Sequence, residues 1–114
     1  MALDLRRLKV PPPRARVVHV DLAAYDVYIG RAGYGRGDGY FGNYQGGQTK
    51  EEQVRNYRAY LLTRVKFDLK FRRRVEELRG KVLGCFCKDS HGRGLCHGDV
   101  IVEYLHGAQA EADS

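Results

Sequence analysis

This chain contains three short runs rich in β-branched residues. One long segment with helical periodicity lies between the second run and the third. The runs cover residues 16–20, 26–30 and 81–87, and their composition is typical of strands. The helical segment covers residues 49–80, and residues 95–105 are predicted to form a turn that leads into a final helix. The order β-β-α-α-β-α predicts an α/β fold in which three helices cover a small, at least partly parallel sheet.

The helical segment carries its own start and stop signals. Thr49 and Glu52 predict a capping box, since the Thr49 hydroxyl can accept from the Glu52 amide while the carboxylate reaches back to the amide of Thr49. Asp68 is expected to cap a second helix, and Gly80 ends the helical region. Apolar residues recur at helical spacing in two stripes, Val54, Tyr57, Leu61 and Val65 in the first and Phe67, Phe71, Val75 and Leu78 in the second.

The length and composition of the chain allow one small folded unit. With 114 residues, 43% of them hydrophobic, and a net charge of +6, the chain is too short for two ordinary domains. We predict a basic, proline-ended arm over residues 1–14, a single α/β domain over residues 15–106 and a flexible tail over residues 107–114. No apolar run is long enough to span a membrane, and the first residues are too polar for a signal peptide. We therefore expect a cytoplasmic protein with no membrane partner.

The chain has three cysteines, an odd number that argues for thiols or metal ligands and against a framework of disulfides. Thiolates and imidazoles are ligands that zinc prefers. The candidate ligands are Cys85, Cys87, Cys96 and His97, with His91 as an alternative fourth ligand. Cys85 and Cys87 are two residues apart on a predicted strand, so both can face one site while Phe86 faces the opposite layer. The alternative is that the cysteines are small buried apolar residues without a metal.

The turn from Cys96 to Asp99 also offers chemistry at the start of the final helix. The helix dipole lowers the pKa of a thiol there, so Cys96 is a candidate nucleophile with His97 as its acid/base partner. Alternatively, the amides around Gly98 hold a phosphate, His97 donates to it, and Asp99 caps the helix or binds a ribose hydroxyl. In a purely structural interpretation, His97 bonds locally, Gly98 allows close packing and Asp99 is an acid at a helix N-terminus.

Eight of the 14 glycines lie between Gly30 and Gly47, interleaved with tyrosines. Such a loop lets the backbone approach a ligand, and Arg31 and Arg36 can pair with phosphate while tyrosines stack on a base. The loop lacks the features of Walker and Rossmann motifs, and the alternative is a long flexible surface loop of low complexity. Sites in parallel sheets gather at the carboxyl ends of strands, so this loop and the cysteines are expected to share one edge of the sheet.

A group of cations lies where the two predicted helices meet. These residues are Lys66, Lys70, Arg72, Arg73 and Arg74. They suit phosphate contacts with DNA or RNA of little sequence specificity. A solvated positive face is the alternative explanation.

Several segments taken together resemble a known family. The matching segments, in order, are residues 27–31, Gly42 with Asn43, the capped helix, residues 78–88 and residues 96–100. They resemble the bacterial and phage family called domain of unknown function 4326, over roughly residues 16–105. The resemblance implies no activity, because that family is uncharacterised, and it implies a host cytoplasmic location if the chain is encoded by a phage. Gly30, Arg31 and Asn43 match the family pattern and are therefore, with Gly98, the candidate ligand-binding residues.

We therefore predict that the domain binds a nucleotide or another phosphorylated nucleoside-like ligand at the sheet edge. Any reaction is expected to be transfer or hydrolysis at that ligand, with His97 or Asp99 as acid/base and Arg31 on phosphate. One alternative is a nucleic-acid-binding accessory protein in which the cysteines hold structural zinc. Another is a structural or partner-binding phage protein. The oligomeric state is left open.

Overall fold

Three parallel strands form the sheet. The structure is a computed structural model that describes residues 14–88 and 93–113. The strands are β1 (Arg16–His19), β2 (Val27–Tyr28) and β3 (Val82–Cys85), and their order across the sheet is β1-β3-β2. Both strand pairs are parallel, which confirms the predicted α/β class and the element order β-β-α-α-β-α.

The central strand, β3, pairs with one neighbour on each side. Leu83 lies opposite Val17 of β1 and opposite Val27 of β2. The strands are shorter than the sequence predicts, although the amide of Ile29 continues the β2 ladder with a 2.9 Å hydrogen bond to β3. β3 ends at Cys85 because the chain bends at the next two residues. Because of this bend, the side chains of Phe86 and Cys87 do not follow the alternation of a strand.

The helical segment forms two helices that share a capping residue. α1 spans Lys50–Phe67 and α2 spans Leu69–Glu76. Asp68 ends α1, and its carboxylate accepts from the amide of Phe71 at 3.1 Å to cap α2, as predicted. The first predicted stripe and most of the second are buried, so both helices pack against the same core.

Two details of the helices differ from the sequence predictions. Thr49 caps α1 by accepting from the amide of Glu52 at 3.1 Å, but the Glu52 carboxylate accepts from the amide of Gln48 at 2.9 Å instead of that of Thr49. Phe67 was assigned to a buried stripe, and this is wrong: its exposed fraction is 78%. The stripe is interrupted because α1 ends at Phe67, and Asp68 between the two helices has an extended backbone with φ −122° and ψ 97°.

The last helix completes the core. α3 spans His97–Asp113 and packs against α1 and β1. It therefore continues through most of residues 107–114, which the sequence assigned to a tail. The fully buried core includes Tyr57, Leu61, Phe71, Leu83 and Ile101.

Residues 1–13 of the predicted arm lie outside the described residues. Over residues 14–88 and 93–113, no helix has both the length and the apolar character needed to cross a membrane.

Gly98 sets the distance between α3 and the sheet, which gives a first testable prediction. A Cβ atom on Gly98 would lie 2.6 Å from Cδ1 of Ile29 and 2.8 Å from Cγ2 of Val17. Gly98→Ala is therefore expected to lower the free energy of unfolding by about 1–3 kcal/mol, because α3 must shift away from the sheet. Gly107→Ala is the matched control, since a Cβ there meets nothing within 4 Å. Urea denaturation of both variants tests this, and equal stability of the two would contradict it.

Candidate metal centre and adjoining cavity

The end of β3 and the start of α3 bring four candidate ligands together. Cys85 ends β3, Cys87 follows the bend, and Cys96 and His97 lie at the start of α3. One ligand atom from each residue lies within 4.8 Å of the others, and this group could hold a metal ion. Cys85, Cys96 and His97 are buried, whereas Cys87 is only half-buried. The structure thus assembles the predicted set of four, while the alternative ligand His91 lies outside the described residues.

The contacts of Cys96 hold its sulfur at the centre of the cluster. Its Sγ lies 3.0 Å from Sγ of Cys85 and 3.8 Å from Nδ1 of His97. The amide of Gly98 donates to the same sulfur at 3.3 Å. An amide at the start of a helix adds a partial positive charge beside the sulfur, and this contribution alone would lower the pKa of Cys96.

The imidazole of His97 is oriented by the backbone. Its Nε2 lies 2.7 Å from the carbonyl oxygen of Ile29, so this nitrogen donates. The other nitrogen, Nδ1, faces Cys96, and the ring of Tyr57 packs edge-on with ring centroids 4.9 Å apart. Metal-binding histidines commonly donate their second nitrogen to a carbonyl, because this fixes the tautomer and the direction of the ring.

The pKa values of Cys87, Cys96 and His97 are shifted because the side chains of the cluster lie close together. Hydrogen bonds from Cys85, Cys96 and His97 lower the pKa of Cys87, and the ammonium of Lys50 adds to this effect. The bonds to Cys85 and Cys87, with burial, raise the pKa of Cys96. Burial alone would lower the pKa of His97, but its interactions with Cys85 and Cys87 outweigh burial and raise the pKa to about 9. A divalent cation would replace the protons on Cys96 and His97, since metal ligands bind in their deprotonated forms.

A cavity of about 500 Å³ opens against this cluster. Its lining residues from the cluster are Cys85, Cys87 and His97, and those from the glycine-rich loop are Gly30, Arg31, Tyr34 and Asn43. The remaining lining residues are Tyr28, Lys50, Gln53, Val54 and Phe86. The loop and the cysteines therefore meet at one edge of the sheet. The cavity has the size of a small-molecule site.

Arg31 and Asn43, the two loop residues named from the sequence, have different contacts. The Nε of Arg31 donates to the carbonyl of Asn43 at 2.7 Å, and its guanidinium lies 5.7 Å from the ring centroid of Tyr44. The Asn43 side chain donates to the carbonyl of Gln53 at 3.0 Å and accepts from the amide of Gln45 at 3.0 Å. Asn43 therefore attaches the loop to α1 through a hydrogen bond, whereas Arg31 places a positive charge in the cavity wall.

Aromatic rings surround Phe86 at the cavity. Its ring centroid lies 5.2 Å from that of Tyr34 and 6.1 Å from that of Tyr28. Phe86 was expected to face the opposite layer, and this is wrong: it lines the cavity and its exposed fraction is 39%. The alternation of a strand does not apply, because β3 has ended at Cys85 and the chain is bent.

Asp99 and Gly98 do not line the cavity. The Asp99 carboxylate accepts from the amide of Cys96 at 3.1 Å and lies 2.7 Å from Nζ of Lys88. Nζ of the buried Lys88 also donates to the carbonyl of Gly94 at 2.6 Å. Asp99 thus holds the start of α3 and the segment before it, and Gly98 gives close packing. Their catalytic and ligand-binding roles remain predictions.

The five cations proposed for nucleic acid lie elsewhere, at the end of α1 and on α2. Four of them are exposed, namely Lys66, Lys70, Arg72 and Arg73. Arg74 is partly buried, and its guanidinium lies 3.8 Å from the ring centroid of Tyr40. Arg74 is therefore engaged in packing, and none of the five lines the cavity.

Sequence reasoning missed Lys50, whose Nζ lies 3.4 Å from Sγ of Cys87. Lys50 is the first residue of α1, directly after the capping Thr49. A cation is unfavourable at the N-terminus of a helix because of the helix dipole. A lysine at this position is therefore the one signal in the sequence that points to a partner outside the helix.

A family model described as Domain of unknown function (DUF4326) matches residues 14–107. The chain belongs to this family, which confirms the resemblance seen in the sequence. No curated protein and no solved structure matches.

Proposed function

We propose that this member of the DUF4326 family binds zinc through Cys85, Cys87, Cys96 and His97, and that the adjoining cavity takes a nucleotide or another phosphorylated nucleoside-like ligand. One observation carries the proposal: three of the four cluster residues line a cavity together with two cations and a group of aromatic rings. The cluster would bind the metal, the cations would bind a phosphate, and the aromatic rings would stack on a base.

Zinc is the metal that suits the cluster best. Three sulfurs and one imidazole match the closed tetrahedral sets of structural zinc sites, and soft thiolates disfavour magnesium and calcium. The carbonyl of Ile29 orients His97, and the amide of Gly98 supports the sulfur of Cys96. Lys50 offsets part of the negative charge that three thiolates bring to one zinc ion.

The cavity offers separate partners for the two halves of a nucleotide. Arg31 and Lys50 are the cations that line it, and both suit the oxygens of a phosphate. Tyr34 and Phe86 present exposed rings on which a base can stack. His97 and Asp99 are engaged in the contacts described above, so the proposal is for binding and assigns neither residue a step in transfer or hydrolysis.

Thermal shift with a panel of nucleoside mono-, di- and triphosphates tests the ligand. At a concentration about 100 times the Kd, a ligand stabilises the folded state by about 2.7 kcal/mol, so Tm should rise clearly. Arg31→Ala is expected to weaken binding about 10- to 100-fold, because it removes a charge-assisted hydrogen bond. Arg72→Ala is the control, since Arg72 is exposed on α2 and does not line the cavity. No shift with any nucleotide at millimolar concentration would contradict the proposal.

Nucleic-acid binding is the second candidate, favoured by the four exposed cations at the end of α1 and on α2. If they contact phosphates, the logarithm of the binding constant should fall with the logarithm of salt concentration, with a slope of about −3 to −4. Replacing Lys70 and Arg73 with alanine should make this slope shallower by about 2, while Arg31→Ala should leave it unchanged. Fluorescence anisotropy with duplex and single-stranded DNA measures it. Absence of binding at low salt would rule this candidate out.

A further inference from the structure

The geometry points to Cys87 as a displaceable ligand, so that an oxygen of the phosphorylated ligand binds the zinc ion in place of the Cys87 sulfur. This inference rests on the proposed function and gives the metal a direct part in ligand binding. Cys85, Cys96 and His97 would then form the permanent set. Three protein ligands with one exchangeable position are typical of zinc sites that act on a substrate.

The four ligands differ in their access to the cavity. The exposed fractions of Cys85, Cys96 and His97 are 2%, 0% and 6%. Cys87 is only half-buried, and it lines the cavity, where its sulfur contacts Lys50. A ligand that enters the cavity therefore meets the accessible Cys87 sulfur, whereas Cys96 does not line the cavity at all.

The three buried ligands are also held by the fold. Cys85 lies in the central strand, paired with His19 of β1. Cys96 is fixed at the start of α3, where its amide donates to Asp99. His97 is held by the carbonyl of Ile29. Cys87 instead lies in the bend two residues beyond the end of β3. Its side chain can therefore leave the metal with no change in the sheet or in α3.

Lys50 gives the displaced sulfur a partner. Its Nζ lies 3.4 Å from Sγ of Cys87, so a released thiolate would be paired with an ammonium inside the cavity. In the exchange, the zinc–sulfur bond breaks with its electron pair left on sulfur, and a zinc–oxygen bond forms with a lone pair of the phosphate oxygen. No proton and no redox partner is needed. The negative charge of the phosphate oxygen takes the place of the thiolate charge beside the zinc ion.

The metal content of two serine variants tests the inference. Cys87→Ser is expected to retain about one equivalent of metal, because three buried ligands remain, while the matched Cys85→Ser should lose it. Circular dichroism shows whether each variant is folded. Loss of metal from a folded Cys87→Ser as complete as from Cys85→Ser would overturn the inference. In that case the zinc proposal would stand, whereas a wild-type protein without metal would overturn the zinc proposal itself.

Cobalt substitution provides a second measurement, which is made first on the wild-type protein. Inorganic phosphate and a nucleoside monophosphate are added separately to the cobalt-loaded wild-type protein. We expect either to weaken the sulfur-to-cobalt absorption as one thiolate leaves, with the nucleotide effective at lower concentration. Lys50→Met should reduce the change, since the released thiolate loses its partner. A nucleotide that raises Tm without changing the spectrum would overturn the inference and leave the binding proposal intact.

Discussion

Cys96→Ser is expected to abolish metal binding and to lower the thermal stability of the domain more than any other change considered for this protein. The side chain of Cys96 is fully buried between Cys85 and His97. Structural zinc contributes about 10–16 kcal/mol of apparent binding energy in small zinc domains, and much of this supports folding. Here the metal would join the central strand to the start of α3. Metal content and thermal unfolding, measured on the same preparation, test the prediction.

The chelated wild-type protein is the control for this variant. If zinc is bound, removing it with a chelator should lower Tm to about that of Cys96→Ser, because both samples lack the same link between β3 and α3. If the cysteines are only small apolar residues, chelation should leave Tm of the wild type unchanged. That second outcome would contradict the metal centre even if Cys96→Ser itself were destabilised by the buried hydroxyl.

Asp99→Ala is expected to lower the free energy of unfolding by about 3 kcal/mol. The substitution leaves the ammonium of Lys88, whose exposed fraction is 8%, without its carboxylate. Removing one partner of a buried ion pair costs about 3–5 kcal/mol, and the partial exposure of Asp99 puts this case at the lower end. The variant also loses the hydrogen bond from the amide of Cys96. Chemical denaturation measures the change.

A double variant separates the ion pair from any other role of Asp99. Lys88→Met combined with Asp99→Ala removes both charges and should recover much of the lost stability, because no unpaired charge stays buried. Loss of ligand binding with unchanged stability in Asp99→Ala would instead show that the carboxylate acts on the ligand. A double variant no more stable than Asp99→Ala would contradict the ion-pair account.

The helices were predictable from the sequence because their signals are local. The caps at Thr49 and Asp68 depend on residues three positions away, and the apolar spacing marks the buried face. The break at Asp68 was predicted, but the exposure of Phe67 was not, since the apolar spacing continues through Phe67 although α1 ends there. The central place of β3 was not predictable either, because pairing across the sheet depends on contacts between residues far apart in the chain.

The residues of the candidate metal centre could be named from the sequence because few other residue types bind zinc. Their environment could not be predicted. Lys50 is 37 positions from Cys87, and only the packing of α1 beside the end of β3 brings the two together. Phe86 was misplaced because the period of two for side chains holds only while the strand continues. The ion pair between Asp99 and Lys88 was not predictable, because the sequence does not show which cation packs against Asp99.

Metal analysis of the wild-type protein, purified without chelator and under reducing conditions, tests the central claim most directly. With Cys85, Cys87, Cys96 and His97 as ligands, about one equivalent of zinc per chain is expected. Less than about a tenth of an equivalent, with all three cysteines reduced and zinc supplied during expression, would contradict the metal centre.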